Sequence, residues 1–169
     1  APDAVQEMAD LTFQAFDGAD EYRTPVMILV DGMLGQMMEP VVIPKPRKGK
    51  KVPEKDYILT GAQGRPARLL KSLILDTKDM EEHNWKLVRK FQRIVERETR
   101  WETYMLDDAE MVVIAYGTAA RIARGAINRL RREDANLRVG MIRPITVRPF
   151  PVTAIREAAQ TIGDFFVFE

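Results

Sequence analysis

The chain has 169 residues, 46% of them apolar, and 26 Lys and Arg stand against 25 Asp and Glu for a formal net charge of +1. That length suits one ordinary domain or two small ones, and the balanced charge provides no global field for nucleic acid or an anionic membrane. With no Cys and a single His, this chain holds no disulfide, thiolate nucleophile, Cys-ligated cluster or His-rich metal site.

In chain order, residues 3–22 predict a helix. Asp3 and Gln6 have capping-box spacing, and Val5, Met8, Ala9, Thr12, Phe13 and Phe16 share one face. Arg23-Thr24-Pro25 should end it, because the residue before a proline leaves the helical region. The run "PVMILV", Pro25–Val30, reads as a strand buried on both faces, and the loop "DGMLGQMMEP", Asp31–Pro40, follows it. Residues 44–56 carry three prolines and six basic residues, which predicts a solvated linker or extended arm. Glu54, Asp56 and the lack of interleaved aromatics weigh against a phosphate or nucleic-acid patch there. Residues 57–75 are open between a hairpin and an irregular excursion, since Gly61 and Gly64 match neither a P-loop nor a dinucleotide fingerprint.

Residues 78–104 predict one long helix, started by Asp79 and Glu82, with Trp85, Val88, Phe91, Ile94 and Val95 as an apolar stripe and His83 as an exposed helix residue. It reads as a connecting helix or as a docking helix. From Ala109 the pattern becomes regular. "EMVVIAYG" is a strand, Gly117-Thr118 a turn with Thr118 as N-cap, and Ala119–Glu133 a helix. "LRVGMIRPI", "VTAIREAAQTI" and "DFFVFE" continue as strand, helix and strand, which argues for a parallel sheet covered by helices. Arg143 and Arg148 are expected near a strand end, pairing with carboxylates at an interface or solvated. No apolar run approaches the ~20 residues of a membrane span, and the N-terminus lacks the pattern of a signal peptide. A first helix with no preceding strand and a last strand with no following helix make the chain read as part of a larger protein.

The blocks "QEMADLTFQAFDGADEYRTPVMILVDGMLGQMMEPVVIP" and "EMVVIAYGTAARIARGAINRL…RVGMIRPITVRPFPVTAI" resemble the alpha subunit of 2-oxoacid:ferredoxin oxidoreductases. The first resembles the end of its pyrimidine-binding thiamine domain, and the second the start of its transketolase C-terminal-like domain. The stretch "LTGAQGRPARLLKSLILDTKDMEEHNWKLVRKFQRI" is similar to the connector of the 2-oxoisovalerate, or branched-chain, members. The resemblance implies an α/β fold of two partial domains, residues 1–44 and 109–169, bridged by a linker, an irregular segment and the long helix over 45–108. It implies oxidative decarboxylation of a 2-oxoacid, with acyl transfer to coenzyme A and electrons passed to ferredoxin.

Thiamine diphosphate would lie between this subunit and a beta subunit that holds its diphosphate and Mg. Iron–sulfur clusters would sit on other chains, and beta-, gamma- and delta-type subunits would complete a cytoplasmic hetero-oligomer. The family's catalytic glutamate has no counterpart in this sequence, so no catalytic residue is expected here, and no cofactor bound tightly to the chain alone. Asp31, Gly32, Met33, Leu34, Gly35, Gln36 and Glu39 are the candidate cofactor- or pocket-lining residues, because ligand sites in parallel sheets lie beyond the strands' carboxyl ends. The simpler reading of this loop is self-packing, with Asp31 capping a turn. Two other classes stay open: a noncatalytic subunit-docking α/β module, and nucleic-acid binding through residues 45–55.

Overall fold

The structure is a computed structural model that describes residues 1–45 and 55–168. Most of the basic arm, residues 46–54, and with it the nucleic-acid reading, lies outside the described residues. The chain divides into two compact units, Ala1–Pro44 with Ile94–Glu169, and Lys45–Arg93.

The first unit is built on one four-stranded sheet. Its strands are β1 (Trp101–Tyr104), β2 (Met111–Ala115), β3 (Val139–Pro144) and β4 (Asp164–Phe168), in the order β1-β3-β2-β4. β2 runs parallel to β3 and β4, whereas β1 pairs antiparallel with β3 at one edge. The helices are α1 (Val5–Tyr22), a single turn α2 (Gly32–Gln36), α4 (Gly117–Glu133) and α5 (Val152–Ala158); α3 (Thr77–Glu98) starts in the second unit. The path from β2 to β3 crosses the sheet one way, and the path from β3 to β4 returns over β2. Right-handed crossovers therefore place α4 and α5 on opposite faces.

Side-chain alternation in the strands serves both faces. Val112, Ile114 and Ile142 pack with Ala154, Ala158 and Ile162 on the α5 side. Ala115, Val139 and Met141 pack with Ala120 and Ile127 on the α4 side. All six residues of β3 are buried, as its near-continuous apolar sequence requires of an interior strand. The parallel α/β pattern predicted from residue 109 onward is therefore present.

Several local expectations are corrected. The predicted helix over 78–104 stops at Glu98, and Trp101–Tyr104 form β1 instead. The alternating Trp-Glu-Thr-Tyr suits a strand, and the edge of β3 supplies the partner that decides the matter. Pro25–Val30 is not a buried strand. It pairs with no described strand, and Val26, Met27, Leu29 and Val30 are exposed, because a strand forms only where another offers its backbone.

The capping box also fails. Ala4 is the N-cap of α1 and makes no side-chain cap bond, and the Asp3 N–H donates to Glu7 Oε2 at 2.8 Å. Gln6 is used elsewhere, its amide accepting from Val42 N–H at 2.7 Å and donating to Val42 O at 3.0 Å. α4 starts after Tyr116, so Thr118 lies inside its first turn. α3 is started by Asp76, whose Oδ1 accepts from the N–H groups of Lys78 and Asp79 at 3.0 Å each.

In the second unit, residues 55–76 form turns, with Gly61 and Gly64 at positive φ and no described strand. This is the irregular alternative. His83 is exposed on α3, as expected. No helix among the described residues is long and apolar enough to cross a membrane.

Gly140 marks the tightest approach in the first unit. A Cβ there would come within 2.7 Å of the Met105 carbonyl oxygen and 3.2 Å of Leu106 Cα, both backbone. Gly140→Ala is expected to destabilise the fold by about 1–3 kcal/mol through overpacking. An unchanged denaturant midpoint would show that the Met105 turn can yield.

Candidate functional site

The loop after Val30 folds by satisfying its own backbone first. Asp31 is the N-cap of α2, its Oδ1 accepting from Leu34 N–H at 2.7 Å. Leu34 is buried, whereas Met33, Gln36 and Met38 face outward and Met38 is 98% exposed. Asp31 also lies at the N-terminus of α4. The Leu34 N–H, then the Thr118 side chain and N–H, hold its carboxyl below the usual range. Thr118 Oγ1 is buried without a hydrogen bond of good geometry among the described residues, yet its nearness still favours the ionised carboxylate. The start of α4 thus meets a carboxylate supplied from within the chain.

Glu39 closes the other end of the loop. Its Oε1 takes a 2.6 Å bond from Arg121 of α4, and its Oε2 accepts from Val5 N–H of α1 at 3.1 Å. The Arg121 hydrogen bond is the main cause that lowers the Glu39 carboxyl. One acid at each end therefore fastens the loop to α4, which begins where β2 ends. The candidate residues stand at the carboxyl edge of the parallel strands, the position at which open α/β sheets bind ligands. Of those residues, Asp31, Leu34 and Glu39 build the scaffold, and Met33 and Gln36 are presented by it.

A second cluster occupies the same edge. Arg143, near the end of β3, is 3% exposed. Its Nη1 and Nη2 form a fork on Glu7 at 2.8 and 2.6 Å, Nη1 lies 2.9 Å from Asp3 Oδ1, and Nε lies 3.1 Å from Glu102 Oε2. Arg124 joins Glu102 at 2.9 Å and stacks on Tyr104, with its guanidinium carbon 4.6 Å from the ring centroid. Burial pulls the Glu7 carboxyl up, but the Arg143 fork and the Asp3 N–H outweigh it, and the net direction is down. Asp3 goes the other way, because burial and the adjacent Glu7 outweigh Arg143 and Arg124.

Of the two arginines named from sequence, Arg143 takes the carboxylate-paired role from within β3, and Arg148 is exposed. No local pattern pointed to the pairings of Asp3, Glu7, Glu102, Arg121 or Arg124, whose partners are remote along the chain. Among the described residues, no group of three or more His, Cys, Asp or Glu is placed to hold a metal ion.

The sheet, its two helical faces and the loop at its carboxyl edge define an α/β protein with a mostly parallel sheet. Residues 1–106 match the family model for pyruvate flavodoxin/ferredoxin oxidoreductase, thiamine diphosphate-binding, and residues 109–169 match pyruvate:ferredoxin oxidoreductase core domain II. The chain belongs to the pyruvate flavodoxin/ferredoxin oxidoreductase family, as its resemblance implied.

Among its relatives, the ketoisovalerate oxidoreductase subunit VorB of Methanothermobacter thermautotrophicus is 45% identical over 159 residues, 94% of this chain and 44% of that protein. The 2-oxoglutarate synthase subunit KorA of the same organism is 30% identical, over all of this chain and 51% of that one. The chain thus spans about half the length of the curated relatives it matches. A solved 2-oxoglutarate:ferredoxin oxidoreductase from Magnetococcus marinus shares the fold at a TM-score of 0.59 and 20% identity, over 88% of this chain and 30% of that one.

Glu7→Gln is expected to destabilise the chain at neutral pH by about 2–4 kcal/mol, since it leaves a buried guanidinium without its fork. The folded Glu7 pKa is depressed, so its stabilisation is present above the unfolded carboxyl pKa and is lost as pH falls through the folded one. The difference between wild type and variant should shrink below about pH 4, where denaturant titration would follow it. A pH-independent difference would rule out the charge as its origin.

Proposed function

We propose that this chain forms part of the alpha-type subunit of a thiamine diphosphate-dependent 2-oxoacid:ferredoxin oxidoreductase. The reaction is oxidative decarboxylation of a 2-oxoacid of the ketoisovalerate type to its acyl-CoA, with electrons passed to ferredoxin. The observation that carries this reading is the 45% identity to a ketoisovalerate oxidoreductase subunit over 94% of the chain. The matches of residues 1–106 and 109–169 to consecutive family domains support it. They also support a division into the late part of a pyrimidine-type thiamine domain over 1–44, a connecting segment over 45–108, and the early part of a transketolase C-terminal-like domain over 109–169.

The residues present fit one wall of such a cofactor site. Met33 and Met38 offer adaptable apolar surface to a flat heterocycle, with the Gln36 amide beside them. Asp31 and Glu39 are committed to fastening the loop, and their role is to position it. When bound, thiamine diphosphate supplies the carbanion stabilisation that 2-oxoacid decarboxylation needs. Its diphosphate and Mg belong to a beta-type subunit in this reading, and iron–sulfur clusters to further subunits of a cytoplasmic hetero-oligomer.

The test is co-expression of the full-length subunit with its partner subunits, followed by ferredoxin reduction with ketoisovalerate, 2-oxoglutarate or pyruvate and coenzyme A. Ketoisovalerate should give the highest kcat/KM. An assembled complex that reduces ferredoxin with none of the three would overturn the reading. In that complex, Arg121→Ala should release the loop and lower kcat/KM on the order of 10- to 100-fold, as misplaced positioning groups do, and Arg121→Lys should recover part of the loss. Equal activity of both variants and wild type would remove the loop from the site.

A further inference from the structure

More acid surrounds Arg143 than its guanidinium can use. Glu7 takes both bonds of the fork, from Nη1 and Nη2, and a third from the Asp3 N–H at 2.8 Å. The Asp3 carboxylate comes second to the same nitrogen. Its Oδ1 lies 2.9 Å from Nη1, which already donates to Glu7 Oε2 at 2.8 Å, so two carboxylates crowd one donor. Arg124 offers Asp3 little relief: its Nη2 stands 4.0 Å from Asp3 Oδ2 and 2.9 Å from Glu102 Oε1. Glu102 Oε2 lies 3.1 Å from Arg143 Nε, which makes no hydrogen bond of good geometry among the described residues.

The charges facing Asp3 come from every element packed there. Glu7 belongs to α1, Glu102 to β1, Arg143 to β3 and Arg124 to α4. Three carboxylates thus meet two guanidiniums. Arg121 of α4 adds no free charge, because its Nη2 is committed to Glu39 at 2.6 Å and its Nη1 reaches the Asp3 carbonyl at 3.4 Å. The Ala1 amine donates to the Ile145 carbonyl at 2.8 Å, and burial favours its neutral form. A proton on Asp3 removes the surplus. It relieves the repulsion from Glu7 and leaves the fork on Arg143 intact. Burial, with the adjacent Glu7, favours that proton against the opposing pull of Arg143 and Arg124.

We propose that Asp3 is a proton-responsive latch: the start of the chain docks on β3 more firmly when Asp3 carries a proton and Glu7 alone holds Arg143. The latch lies beside the anchor of the 31–40 loop, since Arg121 holds both the Asp3 carbonyl and Glu39, and Glu39 also accepts from Val5. It operates independently of the enzymatic reading.

Asp3→Asn keeps the shape of the carboxyl and removes its charge, and denaturant titration of the chain from neutral to acid pH compares it with wild type. The folded Asp3 pKa is raised above the unfolded one, so its charge lowers stability at neutral pH and has no such effect below the unfolded value, about pH 4. The midpoint of the variant should therefore be shifted up at neutral pH, opposite in sign to Glu7→Gln, and should converge on wild type below about pH 4. In carboxyl 13C spectra, the resonance lost in Asp3→Asn should titrate above the ordinary aspartate range. A variant that fails to fold, or is no more stable than wild type at neutral pH, would make Asp3 a plain anchor and overturn the latch. A midpoint shift that persists in acid, or an Asp3 resonance that titrates within or below the ordinary range, would overturn it equally.

Discussion

A guanidinium at 3% exposure cannot be left unneutralised, and around Arg143 the chain gathers three carboxylates from distant segments. Asp3 and Glu7 come from the start of the chain. Glu102 comes from β1, whose register sets it directly opposite Arg143. The interaction therefore fixes two attachments that the parallel sheet alone does not define: α1 to the end of β3, and the antiparallel edge strand to its neighbour. Buried pairs of this kind add little net stability relative to an apolar replacement, but a misregistered alternative leaves the charge bare. Tyr22, which donates to Glu98 at 2.8 Å, fastens the far end of α1 to the residues just before β1.

With α1 held, the loop after it can be held as well. Glu39 spans α1 and α4 with its two oxygens, and Asp31 spans α2 and the start of α4. Both acids are kept ionised by these bonds, which suits anchors and not general acids. Between them, Met33 and Met38 stand exposed. This division explains an otherwise odd composition: acids that look catalytic hold the backbone, and apolar residues that look like core form the presented surface.

The family relation is consistent with that arrangement. The chain carries a sheet with helices on both faces and a loop at the carboxyl edge of its strands, and relatives about twice its length are named as subunits. Exposed apolar surface on Pro25–Val30, on the loop and on α3 has a common physical meaning in such a setting: it is surface made to be covered.

Much of the fold from residue 109 onward could be read directly, because local pattern and burial agree there. The runs that became β2, β3 and β4 are apolar and punctuated by glycine and proline, and the helices between them have clear stripes. The reading failed where structure depends on a remote partner. Trp101–Tyr104 became a strand because β3 had a free edge, and Pro25–Val30 did not because no described strand pairs with it. The site divided in the same way. The sequence by itself singled out the loop around Gly32 and Gly35, and it left Arg143 open between carboxylate pairing and solvation. Tertiary structure alone decided which acids became anchors, since Glu7 meets Arg143 across 136 residues and Glu39 meets Arg121 across 82, and a linear pattern carries no record of distances closed by folding.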